Sequence, residues 1–243
     1  MSRIGIIGAG TIGGILARKL GSVGHEVRIA NSKDPSTLED FDAPGVTPKW
    51  AAEAVDGVDI AILSLPQAAI SNLSEEVLGA LSDVPIVVDT GNYYPARDGR
   101  ISALDDGTTD SAWVAENLGR PVFKAFNNIG GMSLLTKGTE SGADNRVALS
   151  VAGSNGSAKQ TVLTLIDEVG FDPVDGGSLD DSWRQQPGTP AYCADLSAEE
   201  LRGAIDGASE SETPKYHANR DQQDPVGGTE YMHRLIRHGQ MID

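Results

Sequence analysis

The chain has 243 residues, enough for one large domain or one domain with an appendage, and 39% of them are hydrophobic. Its net charge of −16, from 35 acidic and 19 basic residues, disfavours nucleic acid or an anionic membrane as a partner. No apolar run approaches the roughly 18 residues of a membrane span. A single cysteine, Cys193, excludes an intrachain disulfide and makes the cytoplasm the expected setting.

A first strand is expected at residues 3–7, which leaves no room for a leader. It runs directly into Gly8-Ala9-Gly10-Thr11-Ile12-Gly13. Apolar residues then fall at Ile12, Ile15, Leu16, Leu20 and Val23, which is helical spacing, and Gly24-His25-Glu26 returns the chain to a second strand at 27–30. Strand, glycine turn, helix and strand within about thirty residues make a dinucleotide-binding pattern. Gly8 permits the tight turn, Gly10 lets backbone approach a pyrophosphate, and Gly13 lets the helix pack on the strand. The helix start adds unpaired N–H groups and the positive end of its dipole. Such a local cradle can hold an anionic cofactor even in an acidic protein.

Asn31-Ser32-Lys33-Asp34-Pro35 follows the second strand, about twenty residues beyond the glycine turn, where NAD-binding chains usually carry an acid for the ribose hydroxyls. A carboxylate would repel the 2′-phosphate of NADP, whereas Asn31, Ser32 and Lys33 can donate to it. NADP is therefore the expected cofactor, with Asp34 as the opposing feature.

Residues 45–47 form a minimal third strand, and Thr47 with Pro48 reads as cap and first residue of a helix over 49–55. The apolar run 59–65 is a strand buried on both faces, ending in Ser64-Leu65-Pro66 beside the first strand. A helix over 68–81 leads to a strand at 85–89, whose exit Thr90-Gly91-Asn92 suits the surroundings of a nicotinamide or substrate. Residues 96–110 read as irregular surface, and 112–118 as a helix stopped by Gly119. The sixth strand begins at Pro121, carries Lys124, expected to cover the sheet with its methylenes, and emerges at Asn127 and Asn128. A strand at 146–151, a helix opened by capping-box spacing of Ser157 and Gln160, and a strand at 171–174 extend the sheet beyond six strands. The expected fold is α/β, a doubly wound and mostly parallel sheet of the Rossmann NAD(P)-binding type over residues 1–178. A C-terminal extension occupies 179–243.

In that extension Trp183-Arg184-Gln185-Gln186-Pro187 makes a poor core strand and a plausible ligand-facing loop or homodimer contact. A short helix with an acidic first turn is expected at 201–205, a polar extended arm at 208–228 and an amphipathic helix at 231–238. The four histidines are scattered, with no ligand-spaced metal motif. No Gly-x-Ser-x-Gly elbow and no Tyr-x-x-x-Lys pair is present. Hydride transfer by a bound nicotinamide is the chemistry with support.

Taken together, Ile6-Ile7-Gly8-Ala9-Gly10-Thr11-Ile12-Gly13, Asn31-Ser32-Lys33, Ser64-Leu65-Pro66, Val88-Asp89-Thr90, Lys124-Ala125-Phe126-Asn127 and Ala152-Gly153 with Gly170-Phe171-Asp172-Pro173-Val174-Asp175 resemble the NADP oxidoreductase, coenzyme F420-dependent family. Its members move hydride between NADP(H) and a deazaflavin, and the same dinucleotide domain occurs in animal ferric reductases, where the acceptor is flavin. The resemblance spans residues 3–179. It implies a pyrophosphate on Gly8 to Gly13, a 2′-phosphate on Asn31 to Lys33, Ser64 to Pro66 along the path to the nicotinamide, and Asn127 and Asn128 beside that ring. Two rings held face to face need no dedicated acid or base. The residues alone leave two further readings open. One is an NADPH-dependent reductase of a small carbonyl or imine, with Lys124, Tyr93, Tyr94 or Arg184 as proton donor. The other is an NADP(H)-binding redox sensor without turnover.

Overall fold

The computed structural model describes residues 1–39, 41 and 43–223. Six parallel strands form the main sheet: β1 (Arg3–Ile7), β2 (Glu26–Ala30), β3 (Val46–Pro48), β4 (Ile60–Leu63), β5 (Ile86–Asp89) and β6 (Phe123–Lys124). Their spatial order is β3-β2-β1-β4-β5-β6, the doubly wound arrangement whose order reverses between β1 and β4. β7 (Ala148–Val151) and β8 (Asp172–Asp175) pair with each other in a separate two-stranded sheet. They do not lengthen the parallel sheet as the residue pattern predicts. One antiparallel bridge, Lys124 to Ala152, is the join.

Side chains alternate across β1. Ile4 and Ile6 enter one core, against helix α1 (Thr11–Ser22), whereas Ile7 enters the other. Each isoleucine buried in this way contributes about 1.5–3 kcal/mol. Gly5 has no side chain because α2 (Ala51–Val55) lies directly on it, with the Ala54 carbonyl where a Cβ would stand. The second core is completed by α3 (Gln67–Ile70), α4 (Glu75–Ser82), α6 (Ser102–Asp105) and α7 (Asp110–Leu118), with α5 (Pro95–Asp98) outside it. On the first face lie α8 (Gly131–Thr136) and α9 (Ser157–Glu168), and α10 (Ala198–Asp206) covers the small sheet through Leu201 and Ile205.

Several local expectations change. Thr47 and Pro48 belong to β3, and α2 starts only at Ala51, because Val46 to Pro48 pair with β2. The stretch 68–81 is two helices, with Ser74 capping the second through the Val77 N–H. Residues 96–110 contain α5 and α6 instead of irregular surface. Gly156, at φ +138°, takes the cap position of α9, and Ser157 makes no cap bond. Ser197 and Glu200 form a complete capping box, which starts α10 at Ala198. The supposed polar arm holds α11 (Thr213–Asp221), anchored by buried Tyr216 and Arg220. The helix expected at 231–238 lies outside the described residues.

Candidate functional site

The C-terminal ends of β1, β2 and β4 meet at the glycine turn. Gly8 sits at φ +111°, and a Cβ there would run into the Ser64 carbonyl oxygen. Its N–H donates to the Ala30 carbonyl at 2.8 Å, which ties the turn to the end of β2. A Cβ on Gly13 would overlap the Gly8 carbonyl, so α1 lies hard against the turn. Gly10 is different: a Cβ there would meet nothing within 4 Å. Gly10 caps α1, no side chain bonds to that helix start, and no acid stands in its first turn. The first N–H groups of α1 are thus left to water or to an anion.

The loop after β2 is built by its own side chains. Asn31 donates through Nδ2 to the Thr37 hydroxyl (2.9 Å) and accepts the Lys33 N–H on Oδ1 (2.8 Å). Asp34 turns onto the Ser36 N–H at 2.9 Å, capping the 3-10 turn Pro35–Leu38. That backbone bond holds its carboxyl below the ordinary aspartate range. Ser32 and Lys33 remain exposed. Asp34, the acid next to Lys33, therefore serves the turn. Thr37 is a member of the loop that strand-and-turn reading did not single out, although Asp-Pro-Ser-Thr carries the signature of a capped turn.

At the other half of the sheet edge, Ser64 and Thr90 are placed by sheet-like bonds, Ser64 N–H to Ile7 O and Thr90 N–H to Leu63 O (2.8 and 3.0 Å). Leu65 packs on the second core and Pro66 caps α3. Beneath them is a buried polar network. Lys124, fully buried, donates to the Gly91 carbonyl (2.9 Å) and the Ser111 hydroxyl (3.2 Å), and its ammonium lies 3.7 Å from Asp110. Ser111 donates to Asp89 Oδ2 at 2.6 Å, and Asp89 Oδ1 accepts the Gly91 N–H at 2.9 Å. Burial pushes the Asp89 carboxyl above its ordinary value despite the Lys124 charge. Lys124 is thus the centre of a charge network and not a cover for the sheet.

Asn127 and Asn128 leave β6 at the same edge, both buried. The Asn127 amide donates to Asn92 Oδ1 (3.0 Å) and to the Gln185 carbonyl (2.8 Å), and accepts the Gln185 side-chain amide (2.7 Å). Asn128 reaches the Ala191 carbonyl at 3.5 Å, leaving its Oδ1 without a partner. Gly8 to Gly13, Asn31, Ser64, Thr90, Asn127 and Asn128 thus share one edge, but the Asn127 side chain is engaged by protein. Sequence reading places Asn92 and Gln185 in separate candidate ligand-facing stretches but does not join them to Asn127, from which they lie 35 and 58 residues away. Nearby, the Tyr94 and Tyr192 hydroxyls are hydrogen-bonded to each other. Among the described residues no group of three or more His, Cys, Asp or Glu is arranged to hold a metal, and no helix is long and apolar enough to cross a membrane.

Residues 3–93 match the family described as NADP oxidoreductase, coenzyme F420-dependent. The Escherichia coli K12 protein YjhV is 45% identical over 71 residues, 29% of this chain and 52% of that protein, so the match spans about half the length of this curated relative. The crystal structure of the hypothetical protein SMa0349 from Sinorhizobium meliloti is 30% identical, with 81% of this chain and 96% of that chain covered at a TM-score of 0.69. A protein of Arthrobacter sp. FB24, named as a candidate F420-dependent NADP reductase, shares the fold at 23% identity and a TM-score of 0.60, covering 75% and 87% of the two chains. Residues 3–93, which carry the glycine turn and β1 to β5 of the doubly wound sheet, belong to the NADP oxidoreductase, coenzyme F420-dependent family.

Proposed function

We propose that this protein is an NADP-dependent oxidoreductase that passes hydride between NADP(H) and a deazaflavin or flavin acceptor at the C-terminal edge of the sheet. The open space at Gly10 fits a pyrophosphate, which Gly8, Gly10, Thr11, Ile12 and Gly13 would hold against the start of α1. Asn31, Ser32 and Lys33 would take the 2′-phosphate. Ser64, Leu65 and Pro66 would flank the path to the nicotinamide, with Thr90, Asn127 and Asn128 around it. Bound NADPH supplies the hydride, and the chain's own groups bind, orient and exclude water.

The observation that carries the acceptor class is that the four proton donors the residues offer, Lys124, Tyr93, Tyr94 and Arg184, are each committed elsewhere. Lys124 is sealed in its network. The Tyr93 hydroxyl is bound to the Gly99 carbonyl, Asp105 and the Ile101 N–H. Arg184 donates to the Ile205 and Ala208 carbonyls. Burial pushes the Tyr94 phenol up to about 12, a weaker acid than free tyrosine, and Tyr192 is raised as well. Reduction of a carbonyl or imine needs such a proton. Hydride transfer to a deazaflavin or flavin ring requires only that the two rings be positioned.

Steady-state NADPH oxidation with coenzyme F420, with FMN and with a panel of small carbonyls and imines tests this reading. Turnover with the deazaflavin or the flavin is expected. Turnover confined to the panel overturns the acceptor, and tight NADPH binding with no turnover at all points to a sensor. For the cofactor, Lys33→Ala should weaken NADPH about tenfold and leave NADH unchanged. Equal losses for the two dinucleotides would remove the 2′-phosphate from this loop.

A further inference from the structure

A second cavity lies away from the glycine turn, between the Asp180–Gln185 turn, the start of α7 and α11. Its volume is about 280 Å³, at the small end for a ligand pocket. Leu104, Trp183, Pro187 and Tyr216 supply an apolar wall. The Trp183 and Tyr216 rings are stacked with centroids 6.5 Å apart, and the Tyr216 hydroxyl is held by Glu212 and the Ser209 N–H. Both rings are therefore fixed before any ligand arrives.

The charged lining is unbalanced. Asp110 is buried, and its Oδ2 accepts the Tyr93 N–H at 3.0 Å and lies 3.7 Å from Lys124. Its Oδ1 accepts no hydrogen bond from the described residues. The Glu210 carboxylate is exposed and likewise takes none. Against these stand two cationic candidates, both spent. Arg220 is paired to Asp221 at 2.8 Å, lies 4.0 Å from Asp105, and is seated over the Tyr93 ring at 4.9 Å. Burial, reinforced by Arg220, favours the neutral form of His217. Among the described lining residues, an anionic ligand would meet two carboxylates and no free positive charge. A purely apolar one would leave Asp110 Oδ1 buried without a partner, which is costly.

We propose that this cavity is a binding site for a small organic cation, an amine on an apolar or aromatic body. Its nitrogen is held between Asp110 and Glu210 and its body lies along Trp183 and Pro187. The site is independent of the dinucleotide reading, because it shares no residue with the glycine turn or the loop after β2.

Isothermal titration of the full-length protein with 2-phenylethylamine and n-hexylamine, beside 2-phenylethanol and phenylacetate, tests the proposal. An amine is expected to bind at least about tenfold tighter than the alcohol, and phenylacetate weakest. Glu210→Gln, an exposed change that leaves the core intact, should weaken the amine about tenfold and leave the alcohol unaltered. NADPH titrated in parallel should bind the variant and the parent equally. Equal affinity for amine and alcohol, tighter binding of phenylacetate, an amine affinity indifferent to Glu210→Gln, or no binding of either amine would each overturn the site.

Discussion

Gly10→Ala is expected to weaken NADPH binding about a hundredfold, or about 2.7 kcal/mol, while the ligand-free protein unfolds within about 4 °C of the parent. The two effects separate because the added methyl meets nothing within 4 Å in the protein itself. The backbone there is at φ −78°, open to any residue, and the change from glycine to alanine at a helix cap costs about 1 kcal/mol or less. On the proposed reading, the empty volume is where backbone comes closest to the pyrophosphate. Gly13→Ala is the contrasting control. Its methyl would overlap the Gly8 carbonyl, so both binding and stability should fall. Calorimetric titration and a thermal melt on the same samples read both quantities. An unchanged NADPH affinity in Gly10→Ala would place the pyrophosphate elsewhere.

Lys124→Met should cost about 3–5 kcal/mol of stability at neutral pH, because it leaves Asp89 and Asp110 buried without their cation. The sign of the accompanying pH dependence follows from Asp89. Its folded pKa already lies above the ordinary value, burial outweighing Lys124 and the Ser111 and Gly91 hydrogen bonds. Loss of the lysine removes one of the influences that oppose burial and moves it further up. A carboxyl raised on folding binds its proton more readily in the native state. Stability therefore falls as pH rises from the ordinary carboxylate range through the folded value. The variant should accordingly recover part of its loss on going from about pH 7 to about pH 5, with a steeper dependence than the parent. Exposed carboxyls shifted downward by local hydrogen bonds, such as Asp34 and Asp59, have the opposite sign but are common to both proteins and cancel in the difference. Urea denaturation at the two pH values measures it, and a variant as stable as the parent at neutral pH would show the network to be dispensable.

What was legible in the residues was whatever depends on backbone and local spacing. The glycine turn, the period of α1 and the buried runs of β4 and β5 follow from sterics and alternation over a few residues. Thr47-Pro48 misled because a cap signature is local, while pairing of Val46 to Pro48 with β2 depends on a strand about twenty residues away. Lys124 misled for the same reason. Its partners Ser111 and Gly91 stand 13 and 33 residues distant, and no spacing rule brings them together. Tyr216 and Arg220 are single anchors in an otherwise polar helix, too few to give α11 an apolar stripe. The cavity of Trp183 joins three separate stretches of chain, 104–110, 183–189 and 210–220, and only the fold assembles it.

The clasp between Asn127 and Gln185 bears on how separable the nucleotide-binding half is. A chain ended at residue 178 would keep every glycine of the turn, yet the Asn127 amide would retain only Asn92. The same cut would uncover Ala148 and Val174, now roofed by Ala191, Leu201 and Ile205. The binding motif is therefore not an excisable cassette. The tail closes the sheet edge at Asn127 and roofs the small sheet, so the two parts share one packed structure.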